Sequence, residues 1–289
     1  MEVIARAGKL LYLPWKPTLL MTVGDIQYDG PDGAADLPRL KKYLQWGVEH
    51  DAWFLGMGDF VDFLSPSNRE RLMQAGLYDT ATGIIDRAAL SLEDELLTIL
   101  QPTRGRWLGL LQGHHYFVHE SGSTSDTRMA VALDAPFLGD CAILRLTFRD
   151  DRGGGANLKV WAHHGHGGSG NLPTAGLNKL YHQKVRYPNV RLFVMGHVPQ
   201  LGHSVTDGLD VTDRGEPLLI HEDTHYVLTG GFARAYQQGS TFGGRSQGSY
   251  AEKAMMPPAV LGGALITLTP EHLTRNGTSV RIVDVKVTS

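Results

Sequence analysis

The sequence predicts an α/β fold in which mixed β-sheets are layered with helices, and three observations carry that prediction. Short apolar runs alternate with stretches of helical periodicity through the N-terminal part of the chain, the order of a βαβ unit with parallel neighbours and a right-handed crossover. Later runs at 141–148 and 157–162 are joined by RDDRGGG, a short turn rich in glycine and charge that marks a hairpin. Hydrophobic content of 42% with 20% charged residues, over 289 residues, is that of a soluble globular chain with a substantial core.

The elements follow in order. Residues 19–23, with Thr18 before them, form an apolar run ending in Gly24-Asp25-Ile26-Gln27. Asp36 suits a helix cap and Pro38 a first turn, and Leu37, Leu40, Leu44 and Val48 recur at helical spacing, so a helix is expected over 37–49. A strand at 52–55 runs into Gly58-Asp59-Phe60-Val61-Asp62. Ser67 and Glu70 have capping-box spacing and predict a short helix. A longer helical stripe runs from Ile84 to Leu100, and Pro102 stops it. The strand at 107–111 leads through Gln112-Gly113 into His114 and His115, and a helix is expected over 124–133. The 157–162 strand ends in His163-His164-Gly165-His166. A helix over 177–186 precedes a strand at 190–195 that ends in Gly196-His197-Val198-Pro199. Residues 200–223 read as a loop or hairpin, 225–228, 259–268 and 280–287 as strands, and the Gly/Ser-rich 237–247 as a mobile surface loop.

With no linker, repeat or low-complexity block, one domain over 1–289 is expected. A formal charge of −3 supplies no overall basic field for nucleic acid. The single cysteine, Cys141, excludes an intrachain disulfide and reads as a buried small hydrophobe. No apolar run reaches the ~18 residues of a membrane span, and no signal peptide is evident, so the default is a cytoplasmic protein with no membrane partner. The oligomeric state is left open.

Five apolar strands each end in a candidate metal ligand: Asp25, Asp59, His114 with His115, His163 with His164, and His197. Neighbouring strand ends bring such side chains together without flexible loops. Carboxylate and imidazole ligands suit Mn, Fe or Zn, and such an ion polarises phosphoryl oxygens.

The order Asp-x-Gln, Gly-Asp-x-x-Asp, Gly-His-His, His-His-Gly, Gly-His-x-Pro resembles the calcineurin-like metallophosphoesterases from Gly24 to Gly231. Residues 58–69, 137–146, 195–200 and 229–236, with SYAEKAMMPP, resemble a phage- and prokaryote-associated branch. The resemblance implies a four-layer sandwich, two mixed β-sheets flanked by helices with metals at the strand ends. It implies hydrolysis of phosphomono- or phosphodiesters by attack of metal-bound hydroxide, with one or two divalent transition-metal ions (Mn, Fe or Zn) per chain. The substrate would be a nucleotide, a nucleic-acid end or a phosphoprotein. Asp59 would bridge the metals, and Asp25 would serve the first. His114, His163 or His164, and His197 would serve the second, with His164 favoured by its His-Gly-His setting. His115 would protonate the leaving group, with Asp62 orienting backbone or a neighbouring ligand.

Three positions depart from the family pattern. Gln27 stands in place of a histidine ligand and Pro199 in place of the final histidine, both losses at the first metal. Tyr116 replaces the acidic residue after the acid histidine, leaving Glu120 or Asp126 to orient His115. His114 replaces asparagine and strengthens the second metal. Unequal sites are therefore expected, the second tight and the first weak or empty, leaning on Asp25, Asp59 and Gln27. His166, His203 and His225 are spare histidines, read mainly as polar support. The same departures fit an alternative, a metal-binding or interaction protein that keeps the fold without catalysis. Among Arg69, Arg71, Arg104, Arg106, Arg128, Arg234 and Arg245, the motif neighbours Arg69 and Arg234 are the candidates to face phosphate.

Overall fold

The computed structural model describes residues 11–288 apart from 64–73, 77–78, 152, 168–173, 199, 213–216, 235, 237–240, 243–244, 247–251, 253–254, 256–257, 259 and 276–277. In chain order the strands are β1 (Leu11–Pro14), β2 (Thr18–Val23), β3 (Trp53–Gly56), β4 (Trp107–Leu111), β5 (Phe137–Gly139), β6 (Cys141–Arg149), β7 (Gly155–His163), β8 (Leu192–Met195), β9 (Leu201–Thr206), β10 (Leu209–Val211), β11 (Leu219–His221), β12 (Thr224–Thr229), β13 (Thr241–Phe242), β14 (Arg245–Ser246), β15 (Leu265–Arg275) and β16 (Thr278–Thr288). The helices are α1 (Leu37–Glu49), α2 (Asp79–Leu100), α3 (Ser125–Ala132) and α4 (Ala175–Arg186).

Two six-stranded mixed sheets result, ordered β1-β6-β7-β8-β12-β9 and β16-β15-β2-β3-β4-β5. In the second, β2, β3, β4 and β5 are parallel neighbours, and β15 and β16 complete it antiparallel. The sheets face each other across a core that includes Leu20, Leu55, Met57, Leu144, Val160, Val194 and Val227. Leu40, Leu44, Leu96, Leu100 and Met129 pack the helices α1 to α3 onto the second sheet, and Leu180 packs α4 onto the first with Phe193 and Tyr226. The molecule is thus the expected four-layer sandwich, helix–sheet–sheet–helix.

Local sequence explains most boundaries. Asp36 caps α1 by accepting from the Arg39 N–H at 3.2 Å, with proline in the first turn. Thr124 caps α3 in a reciprocal capping box with Thr127. The 200–223 stretch is more ordered than expected: β9 pairs with β12 at the sheet edge, and β10 pairs with β11 as a hairpin. Within 237–247, expected as a surface loop, β13 and β14 pair antiparallel over two residues each. The last hairpin begins at Leu265, not 259, where β15 meets β2. The strands β1 and β5 were not expected; they are only 4 and 3 residues long, too short for a period to register. The helix expected after Ser67 lies outside the described residues.

The buried face of α2 comprises Ala89, Glu93, Leu96 and Leu100, while Ile84 is 61% exposed. A glutamate joins this face because partners meet it. Glu93 Oε1 lies 2.7 Å from Nε2 of buried His119, and its Oε2 accepts from Arg128 Nε at 2.7 Å. Nδ1 of His119 lies 3.0 Å from Asp86. Removing one partner of such a buried network strands the others. His119→Ala is therefore expected to cost about 3 kcal/mol in urea unfolding, whereas an exposed change such as Val185→Ala should cost little.

Candidate metal centre

The parallel strands β2, β3 and β4 finish on one edge of their sheet, and Asp25, Asp59 and His114 follow their last residues. The parallel strands β7 and β8 finish on the facing sheet, with His164 and His197 just beyond. Both sheets thus deliver side chains to one point from rigid strand ends. The exits of β2 and β3 are linked by Asp25 N–H to Gly58 O and Gln27 N–H to Asp59 O, each 2.9 Å. Asp25, Gln27, Asp59 and His197 all take left-handed backbone, with φ of 46°, 48°, 50° and 63°. Such strain in non-glycine residues costs ~1–3 kcal/mol each and persists where surrounding contacts enforce it, often at functional sites.

Glycine makes the approach possible. A Cβ on Gly113 would overlap the backbone nitrogen and Oδ1 of Asp59, and one on Gly58 would lie 2.7 Å from His164 Nδ1. The Gly113 N–H donates to buried Asp126 at 2.9 Å, which sets the peptide that opens the histidine turn. Burial pushes the Asp126 carboxyl up to about 7. Asp126 was a candidate to orient His115; it holds Gly113 instead.

Asp59 divides its oxygens. Oδ1 accepts the N–H groups of His114 at 2.5 Å and His115 at 2.9 Å. Oδ2 is buried and makes no hydrogen bond, and Nε2 of His164, 3.3 Å away, likewise makes none. His164 Nδ1 donates to Met57 O at 2.6 Å, which turns the Nε2 lone pair toward that oxygen. Nδ1 of His114 lies 3.2 Å from Nδ1 of His197. Four ligand atoms, one each from Asp59, His114, His164 and His197, lie within 4.8 Å of one another.

An ion bound at ~2.0–2.2 Å from nitrogen and oxygen sets neighbouring ligand atoms ~3.0–3.4 Å apart. Two of the contacts, at 3.2 and 3.3 Å, fall in that range, and all four ligand atoms lie within 4.8 Å of one another. The orphaned Asp59 and His164 atoms are those that an ion satisfies, and three imidazoles with one carboxylate suit Mn, Fe or Zn. The electrostatics agree. Burial and the neighbouring His164 push the His197 imidazole down to about 4, and burial also lowers His114, so both are neutral ligands at neutral pH. Burial disfavours charge on His164 too, but the Asp59 and Asp25 carboxylates outweigh it and raise it to about 9, so in the metal-free chain its Nε2 carries a proton at neutral pH that a bound ion would displace. Burial opposes charge on Asp59 as well, yet His164 and His115 hold its carboxyl well below the usual range.

The other expected site residues are placed as follows. Asp25 stands outside the four-atom group. Its Oδ2 accepts the His197 N–H at 2.9 Å, its carbonyl accepts from Phe232 and Ala233, and burial pushes its carboxyl up to about 7. Gln27 is half-buried and joins Asp59 through backbone. Pro199 lies outside the described residues. His163 turns away: its Nδ1 accepts from Gly165 N–H at 2.7 Å and its ring stacks near Trp161. His115 Nδ1 lies 2.6 Å from Asp62 Oδ1, so Asp62, not Glu120 or Asp126, orients it. Burial lowers the His115 pKa, but Asp62 and Asp59 outweigh it and raise it.

The spare histidines separate as well. The His166 ring is 5.7 Å from that of His114, whereas His203 and His225 stack on each other through β9 and β12, 3.2 Å between ring nitrogens. Burial, with His203 beside it, pushes His225 down to about 4. The native histidine thus titrates below its unfolded value. As pH falls from 6.5 toward about 4, the unfolded chain gains a proton that the native chain refuses, and stability drops. In His225→Phe, the loss of unfolding free energy between about pH 7 and about pH 4.5 should shrink by about 2 kcal/mol.

Sequence reading missed Lys179, whose ammonium donates to the carbonyls of His166 at 2.8 Å and Gly167 at 3.1 Å and so holds the turn after His164. A lysine on an amphipathic helix gives no local signal of such a role.

No family model matches the chain, and no curated protein matches it. Solved structures do. Vacuolar Protein Sorting 29 from Cryptosporidium parvum matches at 15% identity over 95% of this chain and 99% of that one, with TM-score 0.38. The calcineurin-like phosphoesterase YfkN from Bacillus subtilis matches at 10% identity over 96% and 91%, with TM-score 0.34. GAP50, the anchor in the inner membrane complex of Plasmodium, matches at 10% identity over 88% and 82%, with TM-score 0.40. The functional reading rests on the geometry of the site itself. Among the described residues, no helix is long and apolar enough to cross a membrane.

Proposed function

We propose that the chain is a metal-dependent phosphoesterase with a mononuclear centre, of the calcineurin-like kind and in the phage- and prokaryote-associated branch that its motif segments resemble. One observation carries the reading: the convergence of Asp59, His114, His164 and His197 beside the His115–Asp62 pair. A divalent ion held there supplies Lewis-acid polarisation of a phosphoryl oxygen and makes water a better nucleophile. The protein does the rest. Asp59 is pinned by two backbone N–H groups, so its free oxygen cannot swing away. His164 is aimed by the Met57 carbonyl. Asp62 accepts from Nδ1 of His115, fixing the ring and favouring its protonated form, so that Nε2–H is available to the departing oxygen.

The arginines support a small phosphoester over a nucleic-acid chain. Arg106 pairs with Asp51 at 3.0 Å, Arg128 with Glu93 at 2.7 Å and Arg234 with Asp36 at 3.5 Å, while Arg104 donates to Ala132 O. Arg69, Arg71 and the side chain of Arg245 lie outside the described residues. Nucleic-acid binding draws on clustered, unpaired cations.

Asp25 favours the second reading, a metal-binding protein without turnover, because it lies outside the four-residue ligand group and one of its carboxylate oxygens holds the His197 backbone. Turnover of a generic phosphomonoester and a phosphodiester with Mn²⁺ separates the readings. The phosphoesterase reading predicts metal-dependent turnover that Asp59→Asn removes and that His115→Ala removes on esters with a poor alkoxide leaving group; a full metal load with background turnover would establish the alternative.

A further inference from the structure

On the outer face of the first sheet a cavity of about 460 Å³ is lined by Tyr12, Arg145, Thr147, Arg149, Asp150 and Asn157, with the glycines at 153–155. The strand β6 alternates: Ala142, Leu144, Leu146 and Phe148 enter the core, so Cys141, Ile143, Arg145, Thr147 and Arg149 face outward. Cys141, expected to be buried, is half-buried at one end of this row. Asn157 and Lys159, paired with Thr147 and Arg145, share the face from β7. The helix α4 packs over β8 and β12 through Leu180, Phe193 and Tyr226, and the cavity lies beyond it over β1, β6 and β7. Asn157 stands six positions before His163, about 20 Å by strand rise, so the cavity is separate from the metal centre.

Three features give it the character of an anion site. The register sets Arg145 directly opposite Lys159, and like charges so placed destabilise an antiparallel pair. Among the described residues, Arg145, Arg149 and Lys159 are in no ion pair, whereas Asp150, the one carboxylate of the lining, is engaged by Arg281 and His272, each 3.4 Å away. Next, the Arg149 guanidinium lies 3.4 Å from the centre of the Tyr12 ring, and Tyr12 is level with Thr147 in register. Its charge is therefore folded back toward Arg145. Last, the Thr147 hydroxyl donates to Asn157 Oδ1 at 2.7 Å, which leaves the Asn157 amide N–H groups to donate to a ligand.

A cation pair held against its own repulsion, an arginine folded back toward it and a donor between them suit a ligand with more than one oxyanion group. We propose that this cavity binds a small polyanion, either a polycarboxylate or an inorganic polyphosphate. Arg145 and Lys159 hold one oxyanion group, Arg149 holds the next, and Asn157 donates between them. The volume suits a ligand of that size. Three cations around a concave site, with one face of Tyr12 taken by Arg149, favour a small polyanion over a nucleic-acid strand, which draws on longer cation tracks and free aromatic faces. The site owes nothing to the chemistry at the metal centre.

The test is calorimetric titration of the full chain, stripped of metal and dialysed free of chelator, with tripolyphosphate, citrate and acetate at low salt. One polyanion should bind per chain, and acetate at least about tenfold more weakly, because it forgoes charge-assisted hydrogen bonds. Arg145→Gln and Arg149→Gln should each weaken the polyanion by about tenfold or more. Arg145→Gln should also melt no lower than wild type without ligand, because it relieves the repulsion with Lys159, so lost binding is not a folding defect. Lys41→Gln, at an exposed position on α1, should leave binding unchanged. The tighter of citrate and tripolyphosphate identifies the ligand as polycarboxylate or polyphosphate, and either result supports the site. Polyanion binding that survives both arginine changes, or that falls as much with Lys41→Gln, would overturn it. So would the failure of both small polyanions to bind, including the case in which oligo-glutamate or single-stranded DNA binds instead.

Discussion

Asp59→Asn is expected to lower metal affinity by more than about 100-fold at neutral pH while leaving the metal-free fold intact. Loss of groups that merely support ligands already costs ~10–100-fold in metal affinity, and here an anionic ligand itself is removed. The fold should survive because asparagine keeps an oxygen for the N–H groups of His114 and His115. Its amide then faces His164 Nε2 and donates to the neutral ring where the carboxylate had paired with the charged one. The metal-free melting temperature should stay within a few degrees of wild type, and calorimetric titration with Mn²⁺ or Zn²⁺ should show the loss. A variant that still binds the ion with near wild-type affinity would place the metal elsewhere.

His115→Ala is expected to lower kcat by about 10²–10⁴-fold on a phosphoester with a poor alkoxide leaving group. On a nitrophenyl ester the loss should be far smaller, because a nitrophenolate departs without a proton. The contrast between leaving groups identifies proton donation, since a merely structural defect would lower both rates alike. Asp62→Asn should show the same contrast at smaller amplitude, because the ring at 2.6 Å keeps a hydrogen-bond partner and loses a charge. An equal loss on both substrates would assign His115 to positioning.

The sequence showed which strands would carry chemistry, because an apolar run followed by glycine and a ligand is a local signal. The layered sheets, the α1 boundaries and the parallel β2-β3-β4 order were legible for that reason. The choice between His163 and His164 was not, since adjacent strand-end residues point to opposite faces and only the register of β7 against β6 and β8 decides. That register sends His163 toward Trp161 and His164 into the ligand group. The partner of His115 is set by how loops 59–62 and 113–116 approach in space, which no local pattern encodes. The use of Asp25 by the His197 backbone depends likewise on how the strand ends of the two facing sheets come together.

The most direct test of a mononuclear centre is the metal content of the purified chain, combined with anomalous scattering from a crystal. One ion per chain is predicted, within bonding distance of Asp59, His114, His164 and His197. Two tightly held ions per chain, the second on Asp25 and Gln27, would contradict it.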